Sequence, residues 1–242
     1  MSKQKNYLLI GIIIVIILIF IWFGVARGNS NKTNGNSNEV TNNMNHEEMN
    51  HPAPENQDTN NGNLENYLKE EAAIMSSMMK DMADIKNTGN ASVDFLYGMI
   101  PHHKSAVEMS ESYLKYGAEN AELKQIAENI IQTQTNEIVQ MQSMIQALEQ
   151  TNEKDEENET LYLKEYDEML LQHSHMNHDS FSPKSVDEAF AQGMIMHHQM
   201  ASDMSKSILN YSDDEEVKTF AQAIIDVQEK EIKEMQDILN DL

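Results

Sequence analysis

The sequence predicts an all-α protein. It reads as a four-helix bundle built from two repeated helical hairpins, with a peripheral helix beside each hairpin and one N-terminal transmembrane helix ahead of them. Three observations lead there. From residue 64 onward apolar residues recur at helical spacing, and strand-like alternation is absent. A phrase is written twice at an offset of 95, as Gly98-Met99-Ile100-Pro101-His102-His103 and Gly193-Met194-Ile195-Met196-His197-His198. Finally, the chain runs from Tyr7 to Ala26 without a charge, which at about 1.5 Å per residue is long enough for the roughly 30 Å bilayer core.

Taken in order, residues 1–27 are the expected anchor. Lys3 and Lys5 precede the apolar run and Arg27 and Lys32 follow it, so a short N-terminus inside and the rest of the chain extracytoplasmic is the natural orientation. The alternative is a secreted protein released by cleavage near Ala26, since Gly24-Val25-Ala26 has a small-x-small form. Residues 28–63 are Asn-rich and aperiodic, and are expected to be a disordered linker. That linker carries Met44, His46, Met49 and His51, and its Met-Asn-His tripeptide returns at Met176-Asn177-His178.

Six helices are expected in the domain 64–242, at about 64–87, 92–116, 120–149, 159–173, 184–210 and 214–241. Asn87-Thr88-Gly89-Asn90 is a turn cluster, and Gly117 suits a left-handed helix end. The acidic run 153–159 reads as a solvated connector. Ser182 followed by Pro183 reads as an N-cap with proline at the first helical position. Asp213-Asp214-Glu215-Glu216 places negative charge at a helix start. The repeat reaches beyond the histidines, giving units 64–149 and 159–242. Tyr67-Leu68-Lys69-Glu70 matches Tyr162-Leu163-Lys164-Glu165, and Gln134, Glu137 and Met141 match Gln228, Glu231 and Met235 at an offset of 94.

Composition narrows the chemistry. A net charge of −23 argues against nucleic acid and anionic lipid surfaces as partners. With 0 cysteines there are neither disulfides nor thiolate ligands, whereas 18 methionines and 9 histidines supply thioethers and imidazoles. On a helical wheel Met99, His102, His103, Ala106 and Met109 share an arc of about 120°, as do Met194, His197, His198, Ala201 and Met204. The facing helices place Gln134 and Gln228 within apolar stripes and Glu137 and Glu231 at their edges. The amides and carboxylates are therefore expected to hydrogen-bond the histidines or to share a metal with them, Gln134 and Gln228 in the supporting role. Pro101 is expected to kink its helix.

Imidazole and thioether without thiolate suit Cu(I) or Ag(I), with Cu(II) at histidine-rich positions, whereas zinc would call for more histidine or carboxylate. The candidate ligands are His102, His103, Met99, Met109, Glu137 and Met141, and His197, His198, Met194, Met204, Glu231 and Met235. Met44, His46, Met49 and His51, together with His173, His175, Met176 and His178, read as auxiliary capture sites. The stripe Met75, Met78, Met79 and Met82 reads as core packing.

The pattern Phe-(x)3-Met-Ile-Pro-His-His-(x)2-Ala-(x)2-Met, followed by Gln-(x)2-Glu-Ile-(x)2-Met, resembles the domain-of-unknown-function 305 family over roughly 64–242. The resemblance implies a ferritin-like four-helix bundle, usually exported, with some members similar to copper- and silver-binding resistance proteins. Met196 departs from the family's proline. The expected function is therefore sequestration or hand-off of copper or silver, with metal ions, the membrane and a metal-transfer protein as partners and no catalytic constellation. Two rivals stand beside it. One is a diiron or dimanganese oxidase on the same scaffold, although Glu108 and Asp203 fall away from the histidine faces and no Glu-x-x-His occurs on these helices. The other is a structural or partner-binding exported bundle.

Overall fold

The computed structural model describes residues 57–174 and 182–242. The expected anchor, residues 1–56 of which it is part, and the positions Met44, His46, Met49, His51, His175, Met176 and His178 lie outside the described residues. The described residues form six helices and no strands: α1 Gln57–Ala83, α2 Ala91–Tyr116, α3 Ala121–Thr151, α4 Glu156–Ser174, α5 Val186–Tyr211 and α6 Glu215–Asp241. None of these helices is long and apolar enough to cross a membrane.

Helix ends follow local chemistry. Asn90, Asn120 and Asp214 cap α2, α3 and α6, each accepting two backbone N–H bonds through its side chain. Gly117 ends α2 at φ 110°, and Asn152 ends α3 at φ 53°, both left-handed. The start of α5 differs from expectation. Ser185, not Ser182, is the N-cap, with its hydroxyl accepting from Glu188 N while the Glu188 carboxylate accepts from Lys184 N at 2.8 Å. Serine with glutamate three residues on thus resembles a capping box, with the carboxylate accepting from the residue before the cap, and the helix starts there rather than at the Ser-Pro pair. Two further ends move. α1 begins at Gln57 and stops at Ala83, because Thr88 and Gly89 turn away to bond Asp94 and Glu159. α4 begins at Glu156, inside the acidic run that was expected to be a connector. α2 continues through Pro101.

The hairpins α2–α3 and α5–α6 are the most closely packed neighbours, and they meet mainly through α2 and α5. Those two helices run antiparallel. Ser92 and Ser212 hydroxyls lie 2.7 Å apart at one end, and Tyr113 stacks on Phe190 with centroids 4.1 Å apart at the other. α1 lies on α2, and α4 on α5, and each also reaches across the seam. Glu71 of α1 sits where a Cβ on Gly193 of α5 would be, and Tyr166 of α4 presses on Gly98 of α2. Both glycines are there because a larger residue would not fit, not for backbone freedom.

Two apolar clusters result. One holds Phe95, Leu96 and Met99 of α2 with Met200, Ala201 and Met204 of α5, and the other holds Ala106, Met109 and Tyr113 with Phe190, Ala191 and Met194. Along both helices the histidines fall between these clusters, forming a polar waist.

Candidate metal centre

All four waist histidines are buried, none more than 1% exposed. Each helical His-His pair splits its duties, because adjacent residues on a helix project about 100° apart. His103 turns to α3, where its Nε2 meets Glu137 Oε2 at 2.8 Å. His198 turns to α6 and meets Glu231 Oε2 at the same 2.8 Å. His102 and His197 instead turn to each other across the α2–α5 seam, with ring centroids 3.8 Å apart. His102 Nε2 donates to the His197 backbone carbonyl at 3.1 Å, and His197 Nε2 touches Ser105 Oγ at 2.6 Å.

These partners assign hydrogens. A carbonyl and a carboxylate only accept, so His102, His103 and His198 carry their hydrogen on Nε2, and in the neutral ring Nδ1 holds the lone pair. All four Nδ1 atoms are buried without a hydrogen-bond partner among the described residues. Burial, and then the neighbouring imidazoles, hold His102 and His197 well below the usual histidine range, so both are neutral at physiological pH. A neutral imidazole with one nitrogen tied to a carboxylate or carbonyl and the other free is the form that ligates a metal.

The expected residues converge only in part. Glu137 and Glu231 do bond histidines. Gln134 and Gln228 do not: each is almost fully buried with its Oε1 unbonded, and together with Glu137 and Glu231 they line a cavity of about 10 Å³ between α3 and α6, about one water in size. An amide on the turn before the carboxylate reaches the seam between α3 and α6, short of the rings. Met99, Met141 and Met204 lie in one apolar cluster and Met109, Met194 and Met235 in the other, all fully buried. Among the described residues no three His, Asp or Glu side chains gather at metal-binding distance. The imidazole and carboxylate donors meet in pairs, with methionine thioethers in the clusters on either side.

Three buried residues are not among the expected site residues. Ser105 touches His197, the His102 carbonyl and Met78 Sδ at 2.6, 2.6 and 2.9 Å. Met78, expected to be core packing, therefore reaches from α1 the hydroxyl that touches His197. A signal was present, since 95 residues beyond Met78 stands His173, another ligand type. The third is Glu71, 6% exposed, whose carboxyl burial pushes up to about 8. Its position matches Tyr166 at the same offset, so nothing in the pattern marked it as an interior acid.

Comparison with known proteins places the chain among relatives. Uncharacterized protein L153 of Acanthamoeba polyphaga mimivirus is 46% identical over 55 residues, covering 23% of this chain and 36% of that protein, so the match spans about a third of the relative's length. The solved structure of CopM in a silver-bound form, obtained by co-crystallization, is 28% identical, with 62% of this chain and 96% of that one covered and a TM-score of 0.47; the Cu(I)-bound form gives 0.46 at the same identity and coverage. A putative secreted DUF305 protein from Streptomyces coelicolor is 21% identical, with 63% and 94% covered and a TM-score of 0.48. The family described as domain of unknown function (DUF305) matches residues 29–145 and again 92–239, which together take in most of the sequence, and the chain belongs to that family.

Proposed function

We propose that this chain binds monovalent copper or silver outside the cytoplasm and sequesters it or hands it to a partner protein. In this reading residues 1–27 tether a ferritin-like four-helix bundle to the membrane, and the bundle is a duplicated hairpin. The observation that carries the reading is the set of three buried imidazoles, His102, His103 and His198, each with Nε2 committed to an accepting oxygen and Nδ1 without a partner among the described residues, beside a fourth buried imidazole, His197. Leaving several buried polar atoms unbonded costs roughly 1–3 kcal/mol each, a cost that ligation would offset. Glu137 and Glu231 then orient rings rather than ligate. The thioethers of Met99, Met109, Met141, Met194, Met204 and Met235 lie in the two clusters that flank the waist, a soft donor supply that suits Cu(I) or Ag(I) over harder ions. A diiron oxidase would need free carboxylates at the rings, and the two present are already bonded to Nε2.

The test is titration of the purified protein with Cu(I) and Ag(I) against a competing chelator, beside a variant with His102, His103, His197 and His198 replaced by alanine. At least one tight site is expected, lost in the variant. Deleting residues 44–51 lowers total capacity and spares that site. A wild-type protein that takes up neither ion refutes the reading, and unchanged capacity after the deletion removes the capture role of the linker.

A further inference from the structure

Among the waist histidines, His197 differs in one respect. His102, His103 and His198 place Nε2 against oxygens that only accept, but His197 Nε2 faces the Ser105 hydroxyl, which can donate as well. His197 is therefore the ring free to present its Nε2 lone pair. The same hydroxyl oxygen touches Met78 Sδ, so a thioether from α1 and an imidazole from α5 lie on one small group contributed by α2. All three side chains are buried, at 2%, 3% and 1% exposure for Met78, Ser105 and His197. Ser105 also has an alternative partner for its hydrogen in the His102 carbonyl at 2.6 Å, so it can turn away without being orphaned.

We infer that Met78 Sδ and His197 Nε2 form a seat for a monovalent soft cation, into which the ion enters by displacing the Ser105 hydroxyl from between them. This rests on the reading of the chain as a copper or silver binder and adds a ligand from the peripheral helix. One nitrogen and one thioether is a donor pair that Cu(I) and Ag(I) accept in low coordination and that hard cations do not. The site is not repeated across the chain. At the offset of 95, Met78 is answered by His173 and Ser105 by Met200. His173 Nδ1 donates to the Met169 carbonyl at 3.0 Å, leaving Nε2 as its lone-pair atom.

The test is silver nitrate titration of the full chain carrying ¹³C-methyl methionine and ¹⁵N histidine, followed by NMR. With the first equivalent, the Met78 methyl and the His197 Nε2 resonances are expected to shift together, while Nε2 of His102, His103 and His198 stays protonated. Met78→Leu, which conserves volume, is expected to weaken silver binding at this seat about tenfold with an unchanged urea midpoint, and Ser105→Ala to retain it. Shifts at other methionines with Met78 unmoved overturn the seat and leave the broader reading standing. A protein that binds no silver at all overturns both.

Discussion

Replacing Glu71 by glutamine is expected to remove a pH-dependent weakness from the fold. The carboxyl is 6% exposed, its nearest hydrogen-bond donor is the Tyr67 hydroxyl at a long 3.5 Å, and no cation pairs with it among the described residues. Burial raises its pKa from 4.5 to about 8, against the lowering effect of the Tyr67 hydrogen bond. The folded chain therefore keeps a proton that the unfolded chain releases. Because the folded state binds more protons between about 4.5 and 8, stability falls as pH rises through that window and levels off above it. Taken over the whole window the loss is on the order of 5 kcal/mol, an upper bound that movement of the side chain toward solvent reduces. Glutamine has the same shape and does not titrate. Urea unfolding of wild type and Glu71→Gln is expected to give similar stabilities at pH 4 and a variant more stable by about 2 kcal/mol or more at pH 9. Curves that stay parallel from pH 4 to pH 9 would show that Glu71 ionises freely in the fold, and the interior placement of its carboxyl would be wrong.

Gly98→Ala tests the contact of α4 with α2. An added Cβ would meet the Tyr166 hydroxyl at 2.8 Å and ring carbons at 3.0 and 3.1 Å, and that ring is held by a hydrogen bond from its hydroxyl to the Met82 carbonyl at 2.9 Å. Overpacking by about 1–3 kcal/mol should exceed the helix-propensity gain of about 1 kcal/mol, lowering the urea midpoint. Gly62→Ala, with nothing within 4 Å, should raise it; the reverse order would refute the packing. Glu137→Gln with Glu231→Gln keeps the shape of the seam but weakens the grip on His103 and His198. About 10–100-fold weaker Cu(I) binding is expected, at unchanged secondary structure by circular dichroism. Unaltered affinity would exclude the carboxylates from any part in holding the ligands.

Much of the fold was legible in the sequence because its determinants are local. Periodicity located six helices, Gly117 and Asp214 marked an end and a start, and the twice-written phrase singled out His102, His103, His197 and His198. Ser185 shows the limit of even local reading, since two nearby start signals competed and the bonds of Glu188 to Ser185 and Lys184 decided. Which atoms meet was decided by tertiary structure. A helical wheel places His102 and His103 on one face but does not set the depth at which α2 slides against α5 or α3. That register sends His103 to Glu137, sets His102 against His197 with the rings tilted, leaves Gln134 short of any ring, and brings Met78 to Ser105. Helical period defines direction around an axis, while distance along it comes from how glycines, tyrosines and methionines interlock between helices. The kinds of donor belong to the sequence, and their pairing belongs to the packed chain.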